Sequence, residues 1–354
     1  MAIVPPMATI RHSTVSANGI RIHIAEQGEG PLVLLVHGFP ELWYSWRHQI
    51  PALAEAGYRA VAIDQRGYGR SSKLWDPLEY RISRLVGDAV EIVYALGEKT
   101  AVIVGHDWGA PVAWTAAWTR PEVFRAVVGM SVPYAARALI ALPGSPFGEL
   151  RPSEVHRRIA GEGQDFYETY FATLGAVIQE IEADVRGWLR DAVFSFSGDA
   201  PLPPGLTAAD LSRLDPVALI RGSAACVPHG ARMRDRFATP NGPSSWFTEA
   251  DLDVFTGEFE RTGFAGGLSF YRAMDAGWEE LAPFGDRPVT VPALFMGGEC
   301  DAATLWGAEA IARAKERVPD LRGSVVLSGC GHWIQQERPT ETNRILVDFL
   351  GALG

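Results

Sequence analysis

At 354 residues the chain is longer than one simple domain needs, so a large core carrying a smaller second module is expected. Hydrophobic residues make up 47% and charged residues 21%, the balance of a water-soluble globular protein, and no apolar run is long enough to cross a bilayer. A formal charge of −10, from 32 basic and 42 acidic side chains, comes with no cluster of Lys or Arg that would track a phosphate backbone, so nucleic acid is not an expected partner.

In chain order, the start from Met1 to Ile10 contains Pro5 and Pro6 and lacks the basic-then-apolar pattern of a secretory signal, which makes the cytoplasm the expected location. Short β-branched runs follow at Pro31 to Val36, Tyr58 to Ile63, Thr100 to Val104 and Ala126 to Val132, reading as parallel strands buried on both faces. Between them, Ile82 to Leu96 and Ala110 to Thr119 return apolar residues at helical spacing. The pattern breaks after Pro133. From Tyr134 to Leu281 helical pieces alternate with loops rich in Pro, Gly and Ser, such as Ser197 to Leu206 and Thr239 to Ser245. Strand character resumes at Val289, with runs at Pro292 to Met296 and Gly323 to Leu327 around a helical stretch from Trp306 to Val318. The expectation is an open α/β sheet formed by residues 1–133 and 282–354, with a helical lid inserted at 134–281. Cys226, Cys300 and Cys330 have no CxxC spacing, so buried reduced thiols are expected rather than a disulfide framework or a zinc site.

The chemistry concentrates at strand ends. Gly105-His106-Asp107-Trp108-Gly109 joins a buried strand to a helix, and glycines two residues either side of the centre fit a turn with no room for side chains. Asp107 is thereby raised at the carboxyl edge of the sheet, where such folds bind ligands. In serine esterases the central residue is Ser. A carboxylate is already anionic at neutral pH and attacks a saturated carbon without a base, giving an alkyl ester. Taken alone, Asp107 also fits a loop residue capping the next helix.

His37-Gly38-Phe39-Pro40 follows the strand ending at Val36, where the amides of Phe39 and Trp108 would face the charge of a tetrahedral ester intermediate. Gly331-His332-Trp333 comes late in the chain, and His332 is the expected base for the water that splits the ester. After the run Pro292 to Met296, Gly298-Glu299-Cys300-Asp301 offers two carboxylates. Asp301 is the choice to orient His332, and Glu299 is the reserve.

With its continuations Glu41 to Trp46 and Asp64 to Gly69, this ordered set of motifs resembles the soluble epoxide hydrolases, the bacterial ones most of all, from about residue 14 to the C-terminus. The resemblance implies the α/β-hydrolase fold, a covalent ester on Asp107, no metal or organic cofactor and a small apolar epoxide as substrate. It further implies two lid tyrosines over the epoxide oxygen: Tyr167, in the segment Tyr167 to Phe171, and Tyr271, in the segment Gly263 to Arg272. Haloalkane and fluoroacetate dehalogenases resemble the chain too, and a non-catalytic binding protein on the same scaffold is a third reading. Monomer and homodimer both remain open.

Overall fold

The computed structural model describes residues 9–202, 205–242 and 244–354. The N-terminal stretch Met1 to Ala8, on which most of the signal-peptide reading falls, lies outside them, as do parts of both expected lid loops at 203–204 and 243.

Alternation builds the centre of the molecule. Strands β1 (Arg11–Ala17), β2 (Ile20–Gln27), β3 (Leu32–Val36), β4 (Arg59–Ile63), β5 (Ala101–His106) and β6 (Phe124–Met130) come before the helical insertion. Two short strands, β7 (Gln164–Phe166) and β8 (Cys226–Pro228), pair inside it, and β9 (Ala293–Gly298) and β10 (Leu321–Leu327) follow. The main sheet runs in the order β1-β2-β4-β3-β5-β6-β9-β10. From β4 to β10 all neighbours are parallel, and β1 and β2 add an antiparallel edge.

Successive residues of a strand point to opposite faces. Leu32, Leu34 and Val36 thus join one apolar cluster with the helices Ile82–Ala95 and Gly109–Thr119, while Val33 and Leu35 join the other with Gln49–Glu55 and Pro339–Gly351. This double burial is what the continuous apolar runs predict, and it holds for β3 to β6 and for β9.

The structure differs from the sequence reading at several elements, the paired strands β7 and β8 among them. The hairpin of β1 and β2 was not expected, and it closes through Asn18 and Gly19, both at positive φ. β10 alternates between exposed and half-buried residues because it is an edge strand with a single neighbour. The helical stretch Trp306 to Val318 is broken into short pieces at Gly307, where an added Cβ would stand 2.5 Å from Pro133 Cγ. Val289 is buried, but strand pairing begins only at Ala293.

Two strands decide where a ligand sits. After β3 the chain moves to β4 on one side, and after β4 it returns to β5 on the other, so the connections diverge from the β3–β5 pair. That divergence opens a crevice at the carboxyl ends of these strands.

Candidate active site

Asp107 follows β5 at the crevice, with φ at 50°, a left-handed conformation that Asp adopts more readily than bulkier residues. The sharpness of the turn depends on its glycines. A Cβ on Gly105 would lie 1.9 Å from Gly109 O, and one on Gly109 would lie 2.0 Å from Val36 O. The bend lifts the carboxylate between two partners. Phe39 N–H donates to Asp107 Oδ1 at 2.6 Å, and His332 Nε2 lies 3.3 Å from Asp107 Oδ2. Gly38 has to be glycine, since its Cβ would fall 2.1 Å from the same Oδ1. Trp108 is the residue from which the helix Gly109–Thr119 starts.

Asp301, fully buried, caps the helix Ala302–Trp306 through the amides of Ala303 and Thr304. Its Oδ1 stands 2.9 Å from His332 Nδ1. Burial alone would raise the Asp301 pKa, but His332 and the hydroxyls of Thr304 and Ser131 hold it below the ordinary carboxylate value. Burial presses His332 down in turn, yet the carboxylates of Asp301 and Asp107 outweigh it and set the imidazole well above its ordinary pKa. The pair of carboxylates therefore favours the imidazolium form of His332 while Asp107 is free. Glu299 is elsewhere: its Oε2 accepts from Ser328 Oγ at 2.7 Å and Gly329 N at 2.9 Å.

Tyr167 and Tyr271 come from different helices, Tyr167–Ala172 and Ala265–Arg272, and their rings meet edge-on with centroids 6.0 Å apart. Small residues let the second helix press onto the core. A Cβ on Gly266 would stand 2.3 Å from Gly67 O, and one on Gly267 2.9 Å from the Phe39 ring. Burial above all, then nearby negative charge, raises both phenols well above their ordinary pKa, so they stay protonated. Tyr170 points away and hydrogen-bonds Glu180, a carboxylate that also accepts from Trp188 Nε1 and the amides of Met233 and Arg234.

Asp107, His332, Tyr167, Tyr271 and Phe39 all line one cavity. Its other walls are mainly apolar, including Phe171, Trp188, Met233, Phe237 and Trp306. Among the described residues, no group of three or more His, Cys, Asp or Glu is arranged as a metal site.

Three groups near the centre escaped the sequence reading. Ser131, at φ 69°, donates to Asp301 Oδ2 at 2.7 Å and lies 2.9 Å from His332 Nδ1. It lies near the end of the strand run that the sequence had marked, so its place at the sheet's carboxyl edge was the available signal. His106 bridges the backbone carbonyl of His332 at 2.7 Å and Glu41 Oε2 at 2.7 Å. Burial alone would raise Glu41, but His106 holds it down at about 2.

A model of the alpha/beta hydrolase fold matches residues 31–188. Over 350 residues the chain is 53% identical to "Epoxide hydrolase B" of Mycobacterium tuberculosis, covering 97% of this chain and 98% of that protein. The chain belongs to the epoxide hydrolase family of α/β hydrolases. A solved epoxide hydrolase from an endophytic Streptomyces matches it with a TM-score of 0.86 at 49% identity, covering 97% of this chain and 96% of the other. Potato (Solanum tuberosum) epoxide hydrolase I follows the same fold with a TM-score of 0.80 at 35% identity, covering 97% and 100%. Membership of the epoxide hydrolase family, made of enzymes, sets aside both the dehalogenase reading and the non-catalytic one.

Proposed function

We propose that this epoxide hydrolase opens its substrate in two stages at Asp107. In the first, Asp107 Oδ2 attacks an epoxide carbon, the carbon–oxygen bond breaks, and the alkoxide takes a proton from Tyr167 or Tyr271. A phenol is acidic enough to protonate an alkoxide yet stays protonated at neutral pH. In the second, His332 deprotonates a water that attacks the ester carbonyl. The charge that gathers on Oδ1 then meets the Phe39 and Trp108 amides, and Asp301 steadies the imidazolium. Collapse releases a vicinal diol.

The observation that carries this reading is the placement of Asp107: one carboxylate oxygen held by the Phe39 amide, the other facing His332, with two phenols lining the same cavity. We assign residues 1–133 and 282–354 to the core and 134–281 to a lid that supplies those phenols. The apolar walls suit a small apolar epoxide. Three unpaired cysteines fit a reducing compartment, and we place the reaction in the cytoplasm.

A single turnover in heavy-oxygen water tests the covalent route. Label is expected in the Asp107 peptide, read by mass spectrometry, since the diol carries away the original carboxylate oxygen. Label found only in the diol rules out the ester.

A further inference from the structure

Both lid phenols have rings packed among aromatic side chains. Tyr271 is boxed by the rings of Phe39, Trp108, Tyr167 and Phe171. The Tyr167 hydroxyl donates to Glu168 Oε1 at 2.9 Å. Glu168, only 1% exposed, sets Oε2 2.6 Å from Nε2 of His156, which is 5% exposed on the helix Pro152–Ala160. The two atoms approach off the line of a straight hydrogen bond, and neither has another partner. The other ring nitrogen, Nδ1, faces Thr169 Oγ1 at 3.4 Å.

A buried carboxylate and imidazole are a poor choice for holding two helices together, because an apolar pair of similar volume does so without desolvating charge. Their position against Tyr167 has a chemical consequence. If Tyr167 gives its proton to an alkoxide, a phenolate is left 2.9 Å from a carboxylate, in a site where burial already disfavours the phenolate. That pair of anions lasts only until the phenolate regains a proton.

We infer that Glu168 and His156 form a proton relay that restores Tyr167 during ring opening and makes it the replenished donor of the two phenols. The inference rests on the reading of Tyr167 as a proton donor. The relay requires the pair to start as a carboxylate and an imidazolium. As the epoxide carbon–oxygen bond breaks, the Tyr167 O–H bond breaks and the alkoxide gains that proton. Glu168 Oε2 accepts the proton leaving His156 Nε2, and the carboxylic acid so formed turns to give that proton to the phenolate. Neutral His156 beside carboxylate Glu168 remains, and the pair recovers one proton from solvent. His332 gives a proton to solvent once Asp107 is esterified and regains one from the attacking water as the carboxylate returns, so the cycle closes without gain or loss.

Glu168 acts through Tyr167, so its contribution must vanish when the Tyr167 hydroxyl is absent. The test is a double-mutant cycle on ester formation with styrene oxide, followed as the mass gain of the intact protein under rapid quench. Tyr167→Phe and Glu168→Gln are each expected to slow ester formation by about 10-fold or more. Adding Glu168→Gln to Tyr167→Phe is expected to change the rate by less than about 2-fold. Equal slowing by Glu168→Gln in both backgrounds, or no slowing in either, overturns the relay while leaving Tyr167 as donor. An unimpaired Tyr167→Phe enzyme removes the donor reading and the relay with it. If Glu168→Gln does not fold, His156→Gln enters the same cycle with the same expected non-additivity, and additive slowing overturns the relay.

Discussion

On the proposed route, esterifying Asp107 removes one of the two charges that raise His332. In the free enzyme Asp301 and Asp107 raise His332 together, and the ester leaves Asp301 alone against burial. The imidazole thus becomes a base at the stage when a base is needed. Ester hydrolysis is expected to speed up as pH rises through the His332 pKa of the ester, and that pKa should lie below the His332 pKa of the free enzyme. Single-turnover hydrolysis across pH, set beside a direct titration of His332 in the resting protein by nuclear magnetic resonance, measures both. Coincident values would contradict the account. The same raised pKa bears on stability: the folded form holds the proton more tightly than the unfolded one. The contribution is complete below the unfolded value of about 6.5 and is lost as pH rises through the higher folded value.

Among elements, the bend between β5 and the helix Gly109–Thr119 tolerates least. Gly109 packs against the backbone of β3, and an added Cβ would meet Val36 O at 2.0 Å and Val36 C at 2.6 Å. Neither atom belongs to a side chain that can swing aside. Gly109→Ala is expected to cost at least about 1–3 kcal/mol in urea unfolding and to abolish ester formation, because any shift of the helix moves Asp107 from the Phe39 amide. A variant of native stability and rate would mean that the close approach is relaxed in solution. The hairpin of β1 and β2 teaches the opposite lesson. Asn18-Gly19 between two alternating stretches is a strong short-range hairpin signal, and it was present in the sequence from the start.

At the scale of the molecule, the proposed lid is tied to the segment after β3 by a joint at Arg47. Its Nε stands 3.1 Å from Asp251 Oδ1, at the start of the helix Glu249–Thr262, and Tyr44 donates to the same oxygen at 3.1 Å. Nη1 also reaches Gln336 at 2.7 Å, four residues from His332. Both charges are about nine-tenths buried, at 11% and 12% side-chain exposure, so removing one strands the other. Arg47→Ala is expected to cost about 1–3 kcal/mol and to raise hydrogen exchange around residues 248–252. Unchanged exchange there would show that the joint does not hold the lid.

Short-range pattern carried the sheet, the glycine-flanked bend at Asp107 and the position of His332, because strand burial, turn sterics and chain order are local properties of a sequence. The choice of Asp301 over Glu299 also lay within one loop and followed from reach. Roles for Tyr167 and Tyr271 came from family resemblance, since nothing in either segment alone separates a proton donor from a packing ring. What required the folded chain was every meeting of distant residues: Ser131 with Asp301 and His332, Glu41 with His106, and His156 with Glu168 beside Tyr167. The charge state of His332 belongs with these. A pKa depends on burial and on charges brought near from elsewhere in the chain, and those distances exist only once the sheet and the insertion have closed on one another.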